Sequence, residues 1–151
     1  MLQFNKTMDL EYRKLDINHF SLAESLKKLA SEGFTQVDDF VFLKHCYKTN
    51  TNVSAESFPD ATGYECFINS IHIDDYVSCD YLAQAVLFTR SLFESFNDLG
   101  LQSSLVCVMS MDELGLNIKF YLARINELYL NEDLDGYDEA VLIIDSSEPG
   151  W

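Results

Sequence analysis

Apolar positions recur with a helical period from Tyr81 to Asp98. Leu82, Ala85, Val86, Thr89, Leu92, Phe93 and Phe96 share one stripe, and Leu87 and Phe88 widen it. The pattern predicts a long helix buried over more than half its girth, stopped at Gly100. A shorter amphipathic helix is predicted over residues 22–32, with Leu22, Leu26 and Leu29 inside and Lys27, Lys28 and Glu32 outside. Ser21-Leu-Ala-Glu24 reads as its capping box and Gly33 as its left-handed C-terminal cap.

Strand patterns fill the rest. Phe40 to Tyr47 is rich in aromatic and β-branched residues, and Tyr64 to Ile73 alternates. The two are predicted to pair as an antiparallel hairpin, with 48–63 as a wide exposed loop. Ser104 to Ser110 is apolar without alternation, as in a central strand covered on both faces. Leu116, Ile118, Phe120 and Leu122 alternate with Asn117, Lys119 and Tyr121, a strand half open to water. Ala140 to Asp145 is the last strand. Residues 1–17 mix periods, with Leu10 and Tyr12 hinting at an edge strand; Ile125, Leu128 and Tyr129 suggest a helical turn; Trp151 closes a loose tail that can dock. Short connections favour antiparallel neighbours. The expected fold is a single α+β domain, residues 1–151, with a mostly antiparallel sheet and two main helices packed on one face.

Charge changes the picture more than composition does. The 151 residues carry a net charge of −15. Residues 1–48 balance seven basic against seven acidic side chains, whereas the remainder holds only Arg90, Lys119 and Arg124 against eighteen acids. Such a field repels nucleic acid and anionic membranes and attracts cations or basic proteins; plain solubility is the bland account of it. Cys46, Cys66, Cys79 and Cys107 lie far apart with no CxxC pair, and read as reduced thiols of a cytoplasmic protein. No apolar run has membrane-spanning or signal-peptide character.

The densest acidic stretch is Asn131 to Glu139, which contains Glu132, Asp133, Asp135, Gly136, Tyr137 and Asp138. Unpaired carboxylates in this number stay out of a core. Asn131, Asp133, Asp135 and Gly136 match the opening of a calcium loop, but Leu142 stands where the bidentate glutamate belongs. Asp-Gly turn chemistry is the simpler account. Asp74, Asp75, Tyr76 and Asp80 repeat the mixture of acids around a tyrosine. Acids steer a basic partner and tyrosines supply contact area, although the same tyrosines equally suit core edges. His45 and His72, with Cys46 and Cys66 nearby, would approach a shared metal only if the hairpin forms, and their spacing matches no known zinc pattern. His72 and Asp74 suggest the start of a general base without a partnered nucleophile. No cofactor motif and no metal motif occurs.

In these Tyr/Asp/Glu-rich segments, 64–80 and 131–139, on a compact α+β body, the chain resembles the small acidic immunity proteins of bacterial contact-dependent-inhibition and polymorphic toxin systems. The resemblance is one of style, without a signature motif. It implies a non-enzymatic cytoplasmic protein, monomeric or dimeric, that binds and neutralises a basic toxin domain, often a nuclease. The expected partner-binding residues are Asp74, Asp75, Tyr76 and Asp80 in one segment, and Glu132, Asp133, Asp135, Tyr137, Asp138 and Glu139 in the other. The rival readings are a small hydrolase or transferase using His72 and Asp74, and a non-catalytic adaptor subunit.

Overall fold

The computed structural model describes residues 1–151. Seven strands form: β1 (Leu2–Phe4), β2 (Phe34–Val37), β3 (Phe40–Leu43), β4 (Ser70–His72), β5 (Leu105–Met111), β6 (Leu116–Leu122) and β7 (Ala140–Asp145). Five α-helices join them: α1 (Lys6–Arg13), α2 (Glu24–Ser31), α3 (Lys44–Thr49), α4 (Ala61–Ile68) and α5 (Tyr81–Asn97). The main sheet has the order β1-β7-β5-β6-β4 and every pairing in it is antiparallel. β2 and β3 make a separate two-stranded sheet. The fold is a single α+β domain, as the periodicity predicts.

β5 is the central strand, with Cys107 opposite Ile144 on one side and Phe120 on the other. That position explains its unbroken apolar run, since both faces are covered. One face lies under α5. Cys107, Met109, Ile118, Phe120, Leu142 and Ile144 join Phe88, Leu92 and Phe96 in one continuous core. Each of those three helix side chains is buried, worth about 1.5–3 kcal/mol apiece. α2 packs against α5. The other face carries a smaller cluster of Val106, Val108, Tyr121, Val141 and Ile143, closed by Cys66 of α4 and by Leu134.

Several local expectations are overturned. Residues 64–68 belong to α4, so the hairpin of 40–47 with 64–73 does not exist. Asp60 caps the helix by accepting from the Gly63 N–H at 2.7 Å. Thr62, Tyr64, Glu65, Cys66 and Ile68 are all buried, so the helix shows no polar stripe. The true hairpin is β2–β3, turning at Asp38, whose φ is +52°. The segment Lys44–Thr49 leaves β3 as α3 rather than extending the strand. Part of the expected 48–63 loop is helical at both ends. Leu10 and Tyr12 lie in α1, capped by Asn5, and not in an edge strand; the strand at this end is Leu2–Phe4. Residues 125–129 form no helix. Trp151 docks on Phe93, ring centroids 6.0 Å apart.

The capping box is also replaced. α2 begins at Glu24 and no side chain of its own caps it. Gln84 of α5 does that work from outside, accepting from Ala23 N–H at 2.8 Å and donating to Ser21 C=O at 2.9 Å. At the other end Gly33 takes φ +68°, the left-handed cap its position predicts.

Buried polar side chains join the two sheets. The Glu65 carboxylate accepts from Val41 N–H and Leu122 N–H at 2.9 and 2.8 Å. The Arg124 guanidinium grips the same carboxylate with two bonds of 2.7 and 2.8 Å. Asn69 accepts from Leu43 N–H and donates to the carbonyls of Val41 and Phe120. These side chains satisfy β3 and β6 where no strand lies between them, which buried backbone groups require.

Candidate functional site

Antiparallel pairing decides where the acids gather. β4 ends, β6 begins, β5 ends and β7 begins at the same end of the sheet: His72 lies opposite Asn117, and Met111 opposite both Leu116 and Ala140. The segments leaving those positions are 73–80, 112–115 and 131–139. Each is acidic, so the sheet's geometry draws them onto one surface. Asp138, Glu139, Asp112, Glu113 and Glu11 line one depression there. Asp112 and Asp74 share the next. Asp74, Asp75 and Asp80 line a third, at the start of α5.

Seven of these carboxylates, Asp74, Asp75, Asp80, Asp112, Glu113, Asp138 and Glu139, take part in no ion pair. Some are held by backbone donors instead. Asp74 accepts from Leu116 N–H at 3.1 Å. It lies so close to Gly115 that a Cβ there would collide with its carboxylate. Asp112 accepts from the N–H groups of Leu114 and Gly115 and shapes the β5–β6 turn. Asp75, Glu113 and Asp138 are exposed and make no side-chain bond within the chain.

The ten expected partner-binding residues divide. Asp75, Asp80, Glu132, Asp133, Asp135 and Asp138 are exposed. Asp135 is committed to α1, accepting from Lys6 N–H at 2.8 Å and pairing with its ammonium at 3.1 Å. Those contacts hold its carboxyl below the usual range. Asp133 accepts from Asp135 N–H in a turn over Leu134–Gly136. Tyr76 is half-buried against the main core, and burial raises its phenol pKa. The Tyr137 hydroxyl accepts from Asn131 N–H at 3.1 Å and braces its own loop. The tyrosines thus serve the core's edges, and the free carboxylates face water. Asp112, Glu113 and Glu11 are the members that the linear sequence did not mark. Their signal is the turn between two adjacent strands, which acquires a location only once the sheet order is known.

His72 does not meet Asp74. Its Nε2 lies 3.3 Å from the Asn117 amide nitrogen, while Asp74 serves Leu116. His45 lies on α3, 3.9 Å from Glu32, and no group of three or more His, Cys, Asp or Glu side chains is placed to hold a metal ion. Cys46, Cys66 and Cys107 are buried free thiols and Cys79 is an exposed one. Burial pushes Cys46 and Cys66 up to about 12. No helix is long and apolar enough to cross a membrane.

The fold and this surface define a class: a one-domain α+β protein with an uncompensated acidic end to its antiparallel sheet. The chain belongs to the family described as "Uncharacterized protein PM0498 family", whose profile matches residues 3–150. It is similar to "Uncharacterized protein PM0498" of Pasteurella multocida (strain Pm70), 36% identical over 95 residues. That match covers 58% of this chain and 60% of the relative, so the chain spans under two thirds of the relative's length. No solved structure matches the chain.

Proposed function

We propose that the acidic end of the sheet is a docking face for a basic protein, and that the chain is a cytoplasmic immunity-type inhibitor of a basic toxin domain. One observation carries this reading: seven carboxylates from separate chain segments converge on one surface with no basic side chain paired to them. Like charges crowded in this way repel one another and destabilise the free protein. A Lys- and Arg-rich partner relieves that repulsion, so the surface favours the complex over the free chain. Long-range attraction speeds the encounter and weakens with salt, because the Debye length falls from about 30 Å at 0.01 M to about 10 Å at 0.1 M. Inhibition needs no catalytic residue, only coverage of the partner's active site.

The test first asks whether a reading frame beside this chain's own encodes a secreted protein with a basic C-terminal domain, and then expresses that domain together with the chain; absence of any such frame counts against the reading. Co-purification and loss of the domain's nuclease activity are expected. The variant Asp75→Asn/Glu113→Gln/Asp138→Asn removes three charges that make no internal bond. Its association rate is expected to fall at least about tenfold at low salt, with thermal stability unchanged or raised. Association that is independent of salt and survives the triple variant overturns the reading.

A further inference from the structure

The sheet face turned away from α5 carries polar side chains in register. Ser110 lies opposite Asn117, and Lys119 lies opposite both Val108 and Ser70. The chain at 129–139 passes over this face, and between the two is a cavity of about 180 Å³. Its floor is Val108, Val141, Ser110, Asn117 and Lys119. Its other walls are Tyr129, Leu130, Tyr137 and Glu139.

Two opposite charges line this cavity without meeting. The Lys119 ammonium donates only to neutral groups, Ser70 Oγ at 3.3 Å and Cys66 C=O at 3.4 Å, and pairs with no carboxylate. Glu139 Oε1 accepts from Ser110 Oγ at 3.4 Å and pairs with no base. The Tyr129 ring centre is 5.9 Å from the Lys119 ammonium. In a chain with 10 basic against 25 acidic side chains, a half-buried lysine with no carboxylate partner is unexpected. Withdrawing an ammonium from water without a counter-charge costs free energy. Burial accordingly holds its pKa below the ordinary 10.5. The cavity's volume is about 180 Å³. That is below the roughly 300–1,000 Å³ of sites for drug-sized ligands, so a nucleotide or a peptide does not fit.

We propose that this cavity binds a small zwitterion of the amino-acid class, its carboxylate on the Lys119 ammonium and Asn117 amide, its ammonium on the Glu139 carboxylate. An apolar side chain then rests on Val108, Val141 and Leu130. A plain carboxylate satisfies Lys119 and leaves Glu139 unpaired; a plain amine does the reverse. Only a ligand with both charges completes the site.

Thermal shift and calorimetric titration of the full chain test this with the common L-amino acids, leucine first, beside 4-methylpentanoate and isoamylamine, which each lack one of leucine's charges. At least one amino acid is expected to give a saturable rise in Tm, with its single-charge analogues weaker by about tenfold or more. Lys119→Met and Glu139→Gln are each expected to weaken binding by about tenfold or more. Absence of a saturable shift with every amino acid overturns the proposal, and so does a single-charge analogue that binds as well as its parent or binding that persists in Lys119→Met. Should that variant not fold, methyl NMR of the wild-type chain decides: ligand-induced shifts centred on Val108, Val141 and Leu130 support the site, and shifts elsewhere refute it. Lys119→Met lies outside the docking face and is expected to keep association with the basic domain. Its partner binding therefore separates failure of this site from failure of the inhibitor reading.

Discussion

The two faces of the main sheet are built by different rules. Under α5, every inward side chain of β5, β6 and β7 is apolar, and a long regular helix covers them. On the opposite face the same three strands present Ser110, Asn117 and Lys119 beside Val108 and Val141, and most of the cover is irregular chain. One strand thus faces both environments: in β6, Ile118 and Phe120 serve the first face, while Asn117 and Lys119 serve the second. The first face supplies stability through close packing. The second gives up some close packing for charge and space.

Truncating a side chain on each face tests the difference. Phe88→Ala is expected to cost about 3–5 kcal/mol in denaturant unfolding, and Val108→Ala about 1.5 kcal/mol. Equal losses would mean that the faces do not differ as described. Between them, Arg124→Met leaves the buried Glu65 carboxylate without its counter-charge. About 3 kcal/mol is expected, the low end for breaking a buried pair because Arg124 is 19% exposed. Adding Glu65→Gln is expected to recover part of that loss; no recovery would show that the charge itself does not matter.

Smaller effects lie on the second face and at the acidic end. Lys119→Met is expected to raise stability or leave it within about 0.5 kcal/mol. The lysine's folded pKa is below its unfolded value, so the unfolded chain binds more protons in the window just under 10.5. Its contribution to stability therefore rises with pH through that window. Denaturant titrations across alkaline pH are expected to lose that upward component in Lys119→Met. The least perturbing measurement is thiol counting. Native alkylation is expected to label Cys79 alone and unfolding to release three more thiols, as burial of Cys46, Cys66 and Cys107 requires. Rapid labelling of a second thiol in the native state would show that one face opens.

Much of the first face is legible in the chain, and much of the second is not. The α5 stripe and the apolar runs of β5 and β7 have a period or a length that only one structure satisfies. α4 has neither, because its open side carries Ala61, Gly63 and Phe67 rather than polar residues, and its aromatic residues imitate a strand. The start of α2 depends on Gln84, sixty-one residues beyond Ala23, so local capping chemistry at Ser21 pointed to the wrong acceptor. The acidic segments 74–80 and 131–139 are visible as composition. Their convergence, and the part of Asp112 and Glu113 in it, depends on strand order. Lys119 reads as an ordinary outward residue of an alternating strand until the crossing chain at 129–139 encloses it.

Asn5 has a consequence for the timing of assembly. Its amide accepts from Met8 N–H at the start of α1 and from Val141 N–H, 136 residues away, and it donates to Glu139 C=O. β1 pairs only with β7, so the first strand of the sheet waits for the last. Contacts this distant in sequence form slowly, because a long loop must close before they stabilise anything. During synthesis α5, β5 and β6 can pack as soon as they emerge, but the acidic end is completed only when residues 139–145 arrive. A chain interrupted before that point would leave β5 with an open edge and β1 without a partner.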